Sequence, residues 1–368
     1  MSLSQNNLNW NEVTSLLQKH SVVGQFCTVM AKHGWPNVPI EKAERLKQLR
    51  IAQVAQALGQ VAELARVGVS FTEAGVALIP LKGVGLSQEL YGNPCVRSSC
   101  DLDIMVMPED VLRCEELLTR LGYRHAAGYS NTLGFHEMSE RQKCHIIDTL
   151  HHHEYVNDAS GMHIELHWRG YLWSDEQVAA LWASSAPLSW LDCGLRQLSK
   201  EDTILFLLDH GARHGWSCLK WLSDVAMLLE NLSEDAWRSL YNRAVFFDLQ
   251  RVVTQTVTLL GWFYGINPPL HVKELVRTDS VVRKISLQAA SQLLASSNKV
   301  SIFERKFPGI SLSVRIKTLK PATPVTTLLK RTLITYDDFD LCRLPDCLFW
   351  LYAVMRPYYW FKRRCMKR

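Results

Sequence analysis

Apolar residues recur every three or four positions through Glu41–Arg66, where Leu46, Leu49, Val54, Leu58, Val61 and Leu64 share one side. That is the period of an amphipathic helix, and residues 8 to about 70 are expected to be helical. The period then changes. Val76-Ala-Leu-Ile79 is a short apolar run closed by Pro80 and reads as a buried strand. Lys82-Gly83-Val-Gly85 reads as a turn, and Leu86–Tyr91 as a short helix. Arg97–Met107 alternates polar and apolar residues, the pattern of a half-buried strand. Pro108-Glu-Asp opens a further helix, with proline in its first turn and acids at the positive end of its dipole. Val111, Leu112, Leu117, Leu118 and Leu121 give that helix an apolar face, and Gly122 ends it. Tyr123–Ala127, Cys144–Leu150 and Met162–Trp168 are three more β-like pieces. From Ser174 onward the pattern is helical almost throughout, as in Glu201–His214, Leu219–Leu232, Glu234–Phe247 and Val281–Ala295, with Leu188–Leu198 as a connector.

This ordering predicts an α+β protein with four parts. Residues 1–70 form an N-terminal helical segment and 71–172 a core of a small mixed sheet with helices. Residues 173–340 form a large all-helical domain, and 341–368 an aromatic and basic stretch. A chain of 368 residues with 47% hydrophobic content can bury a sizeable core. Charge changes the picture at one place. Cys342–Arg368 holds seven Lys or Arg against one Asp, so the net +5 of the whole chain leaves the rest close to neutral. A near-neutral body argues against a long nucleic-acid substrate. The ten cysteines include no CxxC pair, and Met-Ser-Leu-Ser-Gln-Asn-Asn7 has neither a basic nor an apolar leader region, so reduced thiols in the cytoplasm are expected. No stretch approaches the roughly 18 apolar residues of a spanning helix.

The chemistry centres on Asp101-Leu-Asp103. On a strand these carboxylates project from one face, and two like charges that close repel unless a cation sits between them. Mg²⁺ is the simplest occupant, because it prefers oxygen ligands and substrate phosphates. In Met162-His-Ile-Glu-Leu-His-Trp168 the polar residues His163, Glu165 and His167 alternate with apolar ones, so Glu165 offers a third carboxylate if the two strands are neighbours. Three carboxylates can hold two metal ions for in-line phosphoryl chemistry. A glycine turn opening a helix, at Lys82-Gly83, lets backbone N–H groups approach a phosphate, and Lys82 and Arg97 can neutralise its charge.

These residues, in this order, resemble a known family. Ile79-Pro-Leu-Lys-Gly83, Leu86, Tyr91, Arg97, Asp101-Leu-Asp-Ile-Met-Val106, Leu117 and Leu121-Gly-Tyr123 look like the uncharacterised nucleotidyltransferases of the polymerase-beta superfamily. The likeness continues through His163-Ile-Glu-Leu-His-Trp168, His210-x-x-x-His214-x-Trp216 and Leu219-Lys-Trp-Leu-x-Asp224, over roughly residues 45–235. The resemblance implies a polymerase-beta-like core with Mg²⁺ (or Mn²⁺) on Asp101, Asp103 and Glu165. It implies transfer of a nucleoside monophosphate from an NTP to a hydroxyl or phosphate of a small-molecule, sugar-phosphate or peptide acceptor, with release of pyrophosphate. Two positions depart from the broader superfamily. Lys82-Gly83 replaces its usual Gly-Ser, removing a hydroxyl contact to the triphosphate, and Glu165 stands where Asp is common. The Lys-Gly turn motivates an alternative, a non-catalytic nucleotide-binding or scaffold protein that keeps the fold.

Other residues carry two readings each. His167, His210, His214 and Lys220 are candidates for contact with acceptor or nucleotide. His210 and His214 share a helical face, for which internal packing is the plainer explanation, and Lys220 and Asp224 form an i,i+4 surface pair. His151-His-His153 reads as a solvent-facing loop rather than the basis of a zinc hydrolase, since structural zinc takes four ligands. Asp148, in an apolar strand, is a spare acidic group. Aromatics beside the basic cluster of 341–368 suit peripheral membrane contact, but a terminal helix packed on the helical domain with a solvated basic end is the favoured explanation, and Pro357 is expected to limit any continuous helix there.

Overall fold

A computed structural model describes residues 8–126, 133–270, 272–274, 279–294 and 318–366. Three helices come first, α1 (Trp10–Lys19), α2 (Val23–His33) and α3 (Ile40–Glu73). The sheet region follows as β1 (Ile79–Pro80), α4 (Gly83–Tyr91), β2 (Leu102–Met105), α5 (Val111–Arg120) and β3 (Arg124–His125). Next come α6 (Glu140–Thr149), β4 (His152–Asn157), β5 (Met162–His167), α7 (Asp175–Ser184), β6 (Ala186–Pro187) and β7 (Arg196–Gln197). Then α8 (Lys200–Arg213), α9 (Leu219–Leu229), α10 (Glu234–Phe246), α11 (Gln250–Tyr264) and α12 (Ser280–Leu294) run in series. Last are α13 (Val325–Leu333), α14 (Tyr336–Leu341) and α15 (Leu351–Met366). The chain divides into two compact units, one of residues 1–66, 80–102 and 198–300, the other of 67–79, 103–197 and 301–368.

In the first unit α8, α9, α10 and α11 pack on one another, α12 packs on α11, and α4 packs on α9. Two of these helices start on serine caps that the sequence dictates. Ser199 and Ser233 accept backbone N–H groups at the first turns of α8 and α10. Trp216 is fully buried and held by its indole N–H, which donates to Gln255 at 3.3 Å. Gly211 makes room for that indole, since a Cβ there would lie 2.4 Å from it. The helices expected at Glu201–His214, Leu219–Leu232, Glu234–Phe247 and Val281–Ala295 are therefore present with small shifts at their ends. Ala295 lies outside the described residues.

The second unit carries a five-stranded sheet in the order β1-β2-β5-β4-β3. The β4–β5 pair is an antiparallel hairpin, with Glu154 opposite Glu165 and His152 opposite His167. Its loop is set by Asn157, whose side chain accepts from Ala159 N and Ser160 N, and by Gly161 at φ 68°. Ile104, Tyr155, Ile164, Leu166 and Trp168 are buried around the sheet, together with Phe71, Leu118 and Phe135. Each large apolar side chain buried this way contributes about 1.5–3 kcal/mol. The indole N–H of Trp168 donates to Ile147 O at 2.9 Å.

Several expectations are corrected. Strand β2 covers Leu102–Met105 rather than 97–107, and all four of its residues are buried, so it is not half-exposed and Asp101 precedes it on a bend. The run Val76–Ile79 yields only Ile79–Pro80 as strand, and the helix expected from Leu86 begins at Gly83. Cys144–Leu150 is not a strand. It lies mainly in α6, where a Ser139/Gln142 capping box starts a helix whose buried residues Gln142, Ile146 and Thr149 keep helical spacing. Asp148 is therefore on a helix. The polar-looking His-His-Glu-Tyr run is strand β4, not a loop, and His151 and His153 are buried. Of Tyr123–Ala127 only Arg124–His125 is strand, and Ala127 lies outside the described residues. The connector 188–198 includes one strand of the β6–β7 pair. Helix α15 runs through Pro357, and Lys367 and Arg368 lie outside the described residues. Among the described residues no helix is long and apolar enough to cross a membrane.

Candidate active site

Two neighbouring strands of the second unit build the charged centre. Asp103 comes from β2, and Glu165 and His167 from β5, two residues apart and hence on one face. The opposite face of β5 is taken by Ile164 and Leu166, both buried. Val106 N–H donates to His167 O at 2.9 Å and ties the end of β2 to β5. This pairing delivers the neighbouring strands that the sequence required for Glu165 to approach Asp103.

His167 joins the two carboxylates. Its Nε2 lies 3.3 Å from Asp103 Oδ1 and 3.1 Å from Glu165 Oε2. Asp103 and His167 are almost fully buried, while Glu165 keeps about a quarter of its side chain exposed (26%). Burial by itself would lower the imidazole pKa. The hydrogen bonds and charges of Asp103 and Glu165 override it and hold the ring above its ordinary value. One ligand atom from each of the three residues lies within 4.8 Å of the others, a separation at which two bare carboxylates repel by about 3.5 kcal/mol at an effective dielectric of about 20. Positive charge at this spot is thus a condition for both acids to be ionised, and the imidazolium or a cation can supply it. Two carboxylate oxygens and an imidazole nitrogen form a donor set that fits a divalent cation with hard-ligand preference.

Strand β4 widens this face with residues that the sequence reading missed. His152, Glu154 and Glu165 also bring ligand atoms within 4.8 Å of one another. The His152 and His167 rings stack at 5.0 Å. Burial raises the Glu154 pKa, and the charge of Glu165 raises it further. The available signal was the i,i+2 spacing of His152 and Glu154, followed by the turn-forming Asn157-Asp-Ala-Ser-Gly161.

The remaining predicted residues lie in the first unit. Gly83 opens α4 at φ 64°, with Lys82 at the N-cap position and buried. A Cβ at Gly83 would sit 3.4 Å from Ser99 Oγ and 3.7 Å from Asp101 O, so the turn and the 99–101 segment are in close approach. Ser99 Oγ donates to Asp101 O at 3.0 Å and to Asp101 Oδ1 at 3.3 Å. Gln60 Nε2 reaches Ser99 O at 3.2 Å and Asp101 O at 3.4 Å, clamping the same segment onto α3. Arg97 is buried and donates from Nε to Asp224 Oδ2 at 2.8 Å, an ion pair closed off from water. Its guanidinium therefore serves to pin residues 97–101 to α9.

Lys220 and Asp224 are not the exposed surface pair their spacing suggested. Lys220 Nζ donates to Ser98 O at 3.0 Å, and burial, with the charge of Arg97, lowers its pKa. Asp224 is fully buried. His210 and His214 do share a face of α8, with ring centroids 4.6 Å apart and both against Trp221. Among the described residues they belong to neither group capable of holding a metal ion.

Comparison with known proteins gives one result. A family model described as an uncharacterised nucleotidyltransferase matches residues 6–265. No curated protein and no solved structure matches the chain.

Proposed function

The chain belongs to this family of uncharacterised nucleotidyltransferases, and from that premise we propose a divalent-metal-dependent enzyme that moves a nucleoside monophosphate from an NTP to a small acceptor. The acceptor offers a hydroxyl or phosphate on a small molecule, sugar phosphate or peptide, and pyrophosphate leaves. The observation that carries this reading is the convergence of Asp103, Glu165 and His167 on one sheet face. Asp103 and Glu165 would hold Mg²⁺ or Mn²⁺, whereas Asp101, on the bend before β2, belongs to neither group of ligand atoms among the described residues. When bound, the ion supplies charge neutralisation at the triphosphate and lowers the pKa of the attacking group. His167 N–H holds both carboxylates in place. Lys82 and the backbone at Gly83 bind phosphate oxygens. Arg97 acts through Asp224 as a positioning residue. Most of the rate gain then comes from positioning and electrostatics. Free thiols at the described cysteines suit a reducing compartment such as the cytoplasm.

The test is pyrophosphate release from labelled NTPs with Mg²⁺ or Mn²⁺ in the presence of cell extract. Asp103→Asn is expected to cut turnover by about a thousandfold or more while leaving the unfolding transition in place. One observation favours a second reading, nucleotide binding without catalysis. His167 stands against both acids and, when protonated, offsets one of their two charges. Stoichiometric NTP binding without pyrophosphate release under any acceptor would establish that reading and end the first.

A further inference from the structure

Helix α15 presents two unlike faces. Its inner face is anchored in the second unit. Tyr352 is fully buried, its hydroxyl accepts from Gln142 Nε2 at 3.0 Å, and its ring lies 5.0 Å from Phe339. Arg356, one turn later, donates to Asp338 Oδ1 at 2.8 Å and Thr335 Oγ1 at 2.7 Å. The outer face is apolar. Val354 and Tyr358 stand roughly half a turn around from those anchors and are 64% and 59% exposed. Trp350, four residues before Val354, extends the stripe and is 58% exposed. Helix α13 packs against α15 and leaves Val325, Leu329 and Leu333 exposed at the same four-residue spacing.

Charge decides what covers this face. Immediately after Tyr358 the sequence reads Tyr-Trp-Phe-Lys-Arg-Arg, and the helix backbone continues to Met366. Cys342–Arg368 carries a positive excess that outweighs the net charge of the whole chain. Trp and Tyr favour the headgroup level of a bilayer, and Lys and Arg are drawn to anionic lipid. A nucleic-acid partner would leave the aliphatic and aromatic stripe in water. A spanning role is excluded for the described helices by their length and polarity.

We infer that the outer face of α15 docks on the surface of an anionic bilayer, with Trp350, Val354 and Tyr358 entering the interface and the basic run that follows them in the sequence supplying the charge that attracts anionic headgroups. The inference stands apart from nucleotide chemistry, and its test does not use turnover. The full chain is sedimented with vesicles of phosphatidylglycerol and phosphatidylcholine, and with vesicles of phosphatidylcholine alone. Binding is expected to the first and to be at least tenfold weaker to the second, and to fall as salt rises. The exposed-site variant Val354→Glu/Tyr358→Glu, checked for an unchanged unfolding midpoint, should bind at least tenfold more weakly. The variant Lys362→Glu/Arg363→Glu/Arg364→Glu should lose about a hundredfold or more, at roughly fivefold per charge near the surface. Absence of pelleting at low salt would overturn the inference, as would equal binding to both vesicle types or unchanged binding by the Glu variants. It is equally overturned if the Val354→Glu/Tyr358→Glu change abolishes self-association in a chain that ignores vesicles, or if the basic cluster binds nucleic acid and not lipid.

Discussion

The Arg97–Asp224 pair separates two roles for Arg97 and supplies the most decisive prediction. The two side chains are 2% and 0% exposed, and Nε stands 2.8 Å from Oδ2. Among the described residues Asp224 Oδ1 finds no hydrogen-bond donor, so there the carboxylate depends on this one donor. Arg97→Met leaves a buried charge without its partner and is expected to cost about 3–5 kcal/mol. Asp224→Leu alone should cost a similar amount. The double variant Arg97→Met/Asp224→Leu replaces both charges with apolar groups and should recover most of the loss, because the desolvation of both ions is then avoided. Urea unfolding of the four proteins, with unchanged m values, yields a coupling energy expected above about 2 kcal/mol. Turnover adds a second axis. If Arg97 only positions residues 97–101, the double variant regains activity along with stability. If its guanidinium touches the triphosphate, activity stays down by about a hundredfold or more in a stable double variant. Additive single losses would refute the buried-pair argument, and a stable, inactive double variant would refute the positioning role.

Gly83→Ala should destabilise by about 1–2 kcal/mol through its left-handed backbone at φ 64°, measured by chemical unfolding, because the space at that position is adequate. Gly211→Ala forces Trp216 off its seat, since the added Cβ would lie 2.4 Å from the indole, and should cost about 1–3 kcal/mol with a change in near-ultraviolet circular dichroism. Acid stability carries a His153 signature. Burial holds the pKa of that ring well below its ordinary value, the charges of His125 and His152 push the same way, and among the described residues neither ring nitrogen has a hydrogen-bond partner. The unfolded chain therefore takes up this proton first, so the neutral ring's contribution is complete above about pH 6.5 and is lost as pH falls below it. His153→Phe, stacked like the native ring on Phe135, should flatten the acid limb of stability by about 1.4 kcal/mol per pH unit below pH 6. Equal slopes in the two proteins would show that the ring is not held neutral.

Much of the candidate site was open to a reader of the chain, and the parts that were not share a cause. The alternation in Met162–Trp168 placed Glu165 and His167 on one face without reference to any neighbour, and the structure keeps that face. The β-like reading of Cys144–Leu150 failed because two adjacent isoleucines look like a strand, whereas the Ser139/Gln142 cap outside that window makes a helix. Strand β4 was hidden because its register exists only once β5 pairs with it, and that pairing turns His152 and Glu154 toward the acids.

By itself the sequence determined the periods of the longer helices, from Glu41–Arg66 to Val281–Ala295, and which acids recur two apart, while Cys144–Leu150 and Pro357 show where local pattern misled. It also carried the order of motifs that marks the family, because that order is a property of the chain and needs no geometry. Only the tertiary structure decided which charges meet. Arg97 finds Asp224 across 127 positions, and His167 finds Asp103 across 64. Such pairs are selected by burial, since a charge taken out of water must end beside a partner, and the identity of that partner is set by which faces the core brings together.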